Sequence, residues 1–335
     1  MKKIVLMIMV LGLVGMVGCD RHDDSTDNPT NPTNPTNPTN PTDPTDPTDP
    51  TDPIDPTNPS VGGFDENGAS NAVFTVAEGR TVRFSRGNLQ YQASTGTWRF
   101  AEHQYDYVGE DNANISSTYS GWIDLFGWGT SGWNSGAVCY QPWATSFSYS
   151  DYYPGGSYTN SLTGAYANAD WGVYNAISNG GNQAGMWRTL TSDEWRYLLN
   201  SRAASTINGE ANARCTKAVV NGTNGVVLFP DNFTMPSGMS YPSGINNTSS
   251  ASYDYNTYTE LQWSQMEGAG CIFLPAAGGR AGATNVYDVG TVGSYWSSTY
   301  CDESFADYMH FNNHNIISRD GTTRVYGKSV RLVRD

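Results

Sequence analysis

The most informative segment of the chain runs GMWRTLTSDEW, from Gly185 to Trp195. A Thr or Ser residue followed by acidic residues is a typical helix N-terminus, and Trp195, Leu198 and Leu199 follow at i, i+3, i+4 spacing. The segment therefore predicts the start of a short amphipathic helix. A second helix is predicted over residues 259–266, closed by glycines further on.

Short strands are predicted on both sides of these helices. Residues 73–76 and 81–85 alternate between apolar and polar side chains around a Glu-Gly-Arg turn, and residues 88–92 and 97–100 do the same around Ser-Thr-Gly. Strand patterns return from Ile272 to Val333, whereas residues 110–181 are dense in Gly, Ser, Tyr and Trp. This pattern favours an α+β fold with few short helices, short antiparallel strands and long loops.

Upstream of this region the chain changes character. Eleven of its 17 prolines recur at every third position from Pro29 to Pro59, in Asn-Pro-Thr and then Asp-Pro-Thr repeats. Proline lacks an N–H donor, so residues 28–60 are predicted to form a disordered, polyproline-type stalk. The remaining residues, 61–335, form the predicted head, with residues 61–132 as its strand-rich N-terminal part.

The overall charge excludes some classes of function. The net charge is -14 and the sequence pI is about 4.5. A phosphate-binding surface needs a basic patch, so no nucleic-acid partner is expected. Only one long apolar run exists, at the N-terminus, and this argues against a multi-pass membrane protein.

The first residues are typical of a bacterial export signal. Residues 1–18 combine a short basic start with an apolar run and end in Met-Val-Gly before Cys19. This arrangement resembles a lipobox, and it implies that Cys19 is lipidated. Acidic residues in the segment 19–27 resemble the surface-export signal of lipoproteins in the Bacteroidetes group. We therefore expect an outer-membrane lipoprotein exposed at the cell surface; a periplasm-facing anchor and a plain secreted protein are the alternatives.

The head resembles a known family. The segment from Gly185 to Trp195 looks like the helix start of formylglycine-generating-enzyme-like domains. IFLPAAGGR (residues 272–280), GSYWSST (residues 293–299) and GKSVRLVR (residues 327–334) resemble later parts of the same pattern. Together they are similar to the Fibrobacter succinogenes major paralogous domain and its relatives. The resemblance covers roughly residues 186–335 and implies a C-type-lectin-like fold.

Relatives with this fold include variable proteins of diversity-generating retroelements. In those proteins a C-terminal segment is diversified by mutagenesis at adenines. Residues 300–326 resemble such a segment, because Tyr, Cys, Asp, Ser, His and Asn residues are concentrated there. Those residue types can arise from Asn codons by changes at adenines alone, whereas Glu303 and Met309 cannot. At most a subset of the positions could therefore be diversified in this way.

Catalysis is not expected. Formylglycine-generating enzymes bind copper through a late cysteine pair, and no close pair occurs among the four cysteines of the head. Cys271 lies in an apolar stretch, which favours a buried thiol. The sequence leaves open whether Cys139, Cys215, Cys271 and Cys301 form disulfides.

Metal binding has weak support. His310 and His314 are four residues apart, but the pattern around them predicts a strand entering a turn rather than a helix. The oxygen-rich residues 109–114 suit a hard cation, yet a polar turn is the preferred interpretation. Gln141-Pro142-Trp143 lacks the carboxylate of a calcium-dependent sugar site. No cofactor is therefore predicted.

The C-terminal segment is the predicted ligand site. In a half-buried strand Tyr308, His310 and Asn312 share the solvent-facing parity, opposite to Phe305, Met309 and Phe311. Tyr, Ser, Asn and Asp residues are also the side chains of adaptable binding surfaces. An ordinary polar sheet face is the alternative. The predicted ligand-binding residues are Tyr300, Asp302, Ser304, Asp307, Tyr308, His310, Asn312, Asn313, His314, Arg324 and Tyr326.

The tryptophans have two interpretations. They could stack on sugars, but tryptophan also fills the core of a loop-rich domain. This alternative applies to Trp122, Trp128, Trp133, Trp143 and Trp171.

These observations predict a surface lipoprotein that recognises a protein or glycan on a phage, a neighbouring cell or a host. Its only membrane contact would be the lipid anchor. A structural surface or fimbrial subunit and a formylglycine-generating-like oxidase are the competing hypotheses.

Overall fold

A computed structural model describes residues 63–335. The predicted export signal, Cys19, the stalk and the first two residues of the head lie outside the described residues. No helix in the part of the chain that the structure describes is long and apolar enough to cross a bilayer.

The described residues form an α+β fold that consists mostly of strands, as predicted. The helices are α1 (Trp171–Tyr174), α2 (Ser192–Arg196) and α3 (Glu260–Gly268). The strands are β1 (Phe74–Ala77), β2 (Arg80–Phe84), β3 (Leu89–Gln92), β4 (Thr97–Phe100), β5 (Trp122–Ile123), β6 (Arg188–Thr189), β7 (Cys215–Val220), β8 (Thr223–Leu228), β9 (Thr257–Tyr258), β10 (Ile272–Pro275), β11 (Gly279–Ala281), β12 (Asn285–Tyr287), β13 (Gly293–Tyr300), β14 (Phe305–Phe311), β15 (Ile316–Thr323) and β16 (Leu332–Arg334).

Both predicted hairpins are confirmed. β1 pairs with β2 and β3 pairs with β4, each in antiparallel register. Gly79 and Gly96 lie in the two turns with φ of 67° and 68°, a left-handed conformation that a side chain would strain. The local turn chemistry therefore predicted these four strands correctly.

Both predicted helices are also confirmed. α2 begins with a capping box, because Thr191 Oγ1 accepts from the Glu194 N–H and Glu194 Oε2 accepts from the Thr191 N–H. The predicted apolar face of Trp195, Leu198 and Leu199 is buried in the core. α3 starts from a second capping box at Thr259.

The ends of the head meet in one sheet, with strand order β1-β2-β16-β6. Val333 in β16 pairs with Phe84 on one side and with Arg188 on the other. The predicted N-terminal part is strand-rich, but it shares this sheet with the last residues of the chain. A second sheet has the order β10-β8-β7-β9, and its β7–β9 pair is parallel.

The sheet β13-β14-β15 lies between two apolar clusters. Tyr295, Met309 and Phe311 belong to the first cluster, together with Trp195 of α2. Trp296 and Ala306 belong to the second, which also holds Trp128 and Trp171. The core interpretation therefore holds for Trp128 and Trp171, which are fully buried.

Candidate functional site

The predicted ligand segment is built on the three-stranded sheet β13-β14-β15. Tyr308 lies opposite Trp296 on β13 and opposite Asp320 on β15. His310 lies opposite Ser294 on β13. Because directly paired residues project to the same side of a sheet, these side chains share one side, which we call the Tyr308 face. The prediction that this side faces solvent is wrong in part, because Trp296 and Ser294 are buried and Tyr308 packs against the second apolar cluster. The predicted strand through Met309 and Phe311 is confirmed, as is the turn that follows it, in which Asn312 N–H donates to the Asn315 carbonyl.

Two rings on the Tyr308 face are stacked. The Tyr308 and His310 ring centroids are 4.9 Å apart and the rings are inclined by only 13°. His310 Nε2 lies 3.3 Å from Asp320 Oδ2. Burial alone would raise the pKa of Asp320, but hydrogen bonds from His310 and from the Gly321 N–H hold it below the ordinary value. The two rings are therefore fixed by stacking and by a carboxylate.

A lysine ammonium lies beside this stack. Lys328 Nζ is 5.7 Å from the Tyr308 ring centroid, 5.7 Å from that of Tyr326 and 5.3 Å from that of Tyr287. We call Tyr308, Tyr326 and Tyr287 the tyrosine cluster. These tyrosines are half-buried, whereas Lys328 is only 6% exposed. Cation–π attraction to several rings partly replaces the water that the ammonium has lost.

Lys328 has no ion-pair partner within residues 63–335. Its Nζ donates a hydrogen bond to the Tyr287 hydroxyl at 3.2 Å. Burial lowers the pKa of Lys328 from 10.5 to about 8, and the charge of Asp288 opposes that shift only in part. An ammonium in this setting attracts an anionic or strongly polar ligand group.

Asp307 does not face solvent, which corrects its assignment as a ligand residue. It shares the parity of Phe305 and Met309, and its side chain is directed inward to Arg319, with Oδ2 3.1 Å from Nε. Its relative exposure is 0%. The parity of β14 explains the error, because the side chains on either side of Tyr308 project to the opposite face.

Arg324 is a second correction. It lies just beyond β15 and is also fully buried, with its guanidinium 4.5 Å from the Trp128 ring centroid. Its Nη2 donates to the carbonyls of Tyr158 and Asp302. Burial lowers the pKa of Arg324 to about 10. The residue therefore ties two loops together instead of meeting a ligand.

Most of the remaining predicted residues lie near the two ends of β14, with Tyr300 as the last residue of β13. Tyr300, Asp302 and Ser304 precede the strand, and Asp302 Oδ1 accepts from the N–H groups of Ser304 and Phe305. Asn312, Asn313 and His314 follow it. A seven-residue strand spans roughly 20 Å, so the two groups are too far apart to grip one small ligand. Around the Lys328 ammonium the structure brings together Tyr308 and Tyr326, with His310 stacked on Tyr308.

Sequence reasoning missed two members of the site. Lys328 was noted only as part of the GKSVRLVR segment, and Tyr287 was not singled out. Tyr287 lies on β12, which pairs with β11 in a separate two-stranded sheet. No local pattern reveals this proximity, because it depends on how distant segments pack.

Three cysteines of the head are free thiols, namely Cys139, Cys215 and Cys271. Each is buried in a different apolar cluster. Burial raises the pKa of Cys215 to about 11 and that of Cys271 well above its ordinary value. The predicted buried thiol at Cys271 is confirmed.

The candidate metal ligands are used differently. Among residues 63–335, no group of three or more His, Cys, Asp or Glu side chains is placed to hold a metal ion. The oxygen-rich segment forms a single turn, Gly109–Asn112, in which Asn112 is buried and donates to Asp124 Oδ1 at 2.7 Å. The preferred interpretation of that segment as a polar turn is therefore confirmed.

Comparison with known proteins returns no match: no protein family, no curated protein and no solved structure is similar to this chain.

Proposed function

We propose that this protein is a recognition protein and that the Tyr308 face is its ligand-binding surface. The observation that carries the proposal is the arrangement of Tyr308, His310, Tyr326 and Tyr287 around the Lys328 ammonium. A buried ammonium that has no ion-pair partner within residues 63–335, with partly buried aromatic rings around it, is costly for a fold to maintain. A binding role accounts for that cost.

The chemistry of this face suits recognition without a cofactor. Flat tyrosine and histidine rings offer contact area with little side-chain entropy to lose, and their polar atoms accept or donate hydrogen bonds. The strands of the sheet, the stack of rings and the Asp320 carboxylate hold them in place. A preorganised surface binds more tightly because less ordering opposes binding. The ligand would be a protein or glycan on a phage, a neighbouring cell or a host.

We also propose that the head is C-type-lectin-like. The segments that carry the family resemblance contact one another through the backbone. The Trp296 N–H donates to the Ser329 carbonyl, and the Ser329 N–H donates to the Ser294 carbonyl. The Ser298 N–H donates to the Leu190 carbonyl, and Arg280 forms a bridge with Gly327. A shared fold motif would bring these segments together in this way.

The lipid anchor and the stalk belong to the same proposal. Lipidation at Cys19 and residues 28–60 would present the head away from the outer membrane, at the cell surface. The proposed diversification of residues 300–326 is restricted by the burial of Asp307 and Arg324. Variation would be tolerated at the exposed Asp302 and His314 and at half-buried positions of the Tyr308 face.

The test uses the purified full chain on a glycan array and on panels of intact phage and cells. Replacing Tyr308 and His310 together with Ala should abolish ligand capture. The thermal unfolding midpoint should fall because both rings are partly buried, and circular dichroism should show that the head still folds. His103 and Tyr105 form a matched control, since their rings are also stacked, 5.1 Å apart, elsewhere on the head. The His103→Ala variant should bind as the wild type does.

Capture that survives the double substitution would overturn the assignment of the Tyr308 face. The structural-subunit alternative predicts self-association instead. Analytical ultracentrifugation of the full chain distinguishes the two, because a recognition protein of this kind needs no assembly. Copper in the purified protein would favour the oxidase alternative.

A further inference from the structure

A second candidate site lies away from the Tyr308 face. A cleft of about 320 Å³ opens between β8, the segment before β9, the start of β13 and the turn after β14. All the side chains that line it are polar: Asn224, Ser252, Tyr253, Asp254, Thr291 and Asn313. We call it the polar cleft. Its volume is at the low end of the range for small-molecule sites, ~300–1,000 Å³.

The two asparagines of the polar cleft are held in fixed orientations. Asn224 Nδ2 donates to the Gly290 carbonyl at 2.9 Å. Asn313 Oδ1 accepts from Ser252 Oγ at 2.8 Å and from the Tyr253 N–H at 3.2 Å. Asn224 therefore has its Oδ1 left as an acceptor, and Asn313 has its Nδ2 left as a donor.

The walls of the cleft are also tied together. The Tyr253 hydroxyl donates to the Thr291 carbonyl at 3.0 Å, and Thr291 Oγ1 donates to the Asp288 carbonyl at 2.9 Å. These bonds connect the segment before β9 with the start of β13. The polar groups are therefore preorganised, and a ligand would lose little affinity in ordering them.

Three polar groups of the cleft are left for a ligand. The Asp254 carboxylate is exposed, and within the described part of the chain it has no hydrogen-bond or ion-pair partner. The same holds for Asn224 Oδ1 and Asn313 Nδ2 across residues 63–335. The cleft therefore offers two acceptors and one donor with no basic side chain among its lining residues.

This set of groups selects the chemistry of the ligand. An anion would be repelled by Asp254 and would find no cation in the lining. Each sugar hydroxyl can both donate and accept, so the hydroxyls of one ring can use both the acceptors and the donor of the cleft. We propose that the polar cleft binds one neutral sugar ring, with hydroxyls donating to Asp254 and to Asn224 Oδ1 and accepting from Asn313 Nδ2. This inference goes beyond the proposed recognition at the Tyr308 face and does not rest on it.

The test measures sugar binding by saturation-transfer NMR with the full chain. The probes are the methyl glycosides of glucose, galactose, mannose and N-acetylglucosamine, with EDTA present. At least one sugar should give a signal. Asp254→Asn and Asn224→Ala should each weaken its binding about tenfold, as expected for loss of a strong hydrogen bond. Asn285→Ala, which changes an exposed asparagine on β12, should leave binding unchanged.

Two results would overturn the inference. Either none of the four sugars gives a signal, or the signal persists in both cleft variants. Tyr308→Ala tells the two sites apart: a sugar signal that is lost in this variant but kept in the two cleft variants would place the sugar at the Tyr308 face and overturn the inference. Circular dichroism of each variant checks folding, which should not change because Asp254 is exposed and Asn224 is only half-buried.

Discussion

The ammonium nitrogen of Lys328 lies 3.2 Å from the hydroxyl oxygen of Tyr287. The two residues belong to segments that the sequence separates widely, and their contact closes one side of the tyrosine cluster. Tyr287 is also 6.1 Å from the Tyr326 ring in an edge-on arrangement. A cation that lacks a carboxylate partner within residues 63–335 is thus held by hydroxyl and ring contacts, and this has a measurable consequence for stability.

The stability of the protein should depend on pH through Lys328. Its pKa is about 8 when folded and 10.5 when unfolded, so between these values the unfolded chain binds more protons. The free energy of unfolding should therefore rise as the pH increases from about 8 toward 10.5, and the cost of burying the charge is fully present below pH 8. The shift corresponds to about 3 kcal/mol.

Lys328→Met isolates this effect, because methionine keeps much of the volume and cannot ionise. Urea unfolding of wild type and variant at pH 7 and pH 10 supplies the comparison. The variant should be the more stable protein at pH 7, with the difference shrinking at pH 10. An equal difference in the free energy of unfolding at both pH values would show that burial of the ammonium does not destabilise the folded protein.

Asp307 should matter for folding and not for ligand binding. Its carboxylate is fully buried and lies against the guanidinium of Arg319. Asp307→Ala would remove this carboxylate partner of Arg319 and should lower the free energy of unfolding by about 3 kcal/mol. Urea denaturation measures the loss. Asp193→Ala is the matched control, since Asp193 also contacts Arg319, at 3.6 Å, but is 76% exposed and should contribute less than about 1 kcal/mol.

The capping box of α2 should stabilise the helix measurably. Thr191→Ala removes the hydroxyl that accepts from the Glu194 N–H and should cost about 1 kcal/mol. Thr191→Ser keeps that acceptor and should be near neutral. Thermal unfolding of the two variants measures both changes in stability. Similar losses of stability in both variants would assign the effect to packing rather than to the hydrogen bond of the cap.

Replacing the Asp170 carboxylate with a neutral amide should lower the stability of the protein. One carboxylate oxygen accepts from the Gly172 N–H at the start of α1 and the other from the Thr189 N–H in β6. Asp170→Asn places an amide donor against one of these N–H groups and should cost about 1–3 kcal/mol.

Burial raises the pKa of Asp170 from 3.8 to about 6. The folded state therefore binds more protons between these values. This residue's contribution to the free energy of unfolding should fall as the pH rises from about 4 to 6. The wild type should lose stability relative to Asp170→Asn across that window, and a constant difference would contradict the assignment.

The three buried thiols should be unreactive in the folded protein. Iodoacetamide treatment followed by peptide mass spectrometry should leave Cys139, Cys215 and Cys271 unmodified without denaturant and modify them in urea, because reaction needs an accessible thiolate. Modification of Cys271 under native conditions would contradict its placement in the core.

Much of the local structure could be predicted from the sequence. The alternation around Gly79 and Gly96, and the Thr-x-x-Glu pattern at Thr191, act over a few residues, and the structure contains the corresponding hairpins and helix. The site was predicted only in part. Tyr308 and His310 do share one side of β14, but that side is largely covered by the core, and Asp307 and Arg324 are inside the protein.

The sequence by itself determined the class of the fold, the positions of α2, α3 and the strands β1 to β4, and the segment that carries the Tyr308 face. These features follow from periodicity, turn residues and caps, which are local. Only the tertiary structure decided that Lys328 lies among three tyrosines and that Asn224 and Asn313 line one cleft. Such contacts join residues far apart in the chain, and their geometry is set by how strands and loops pack.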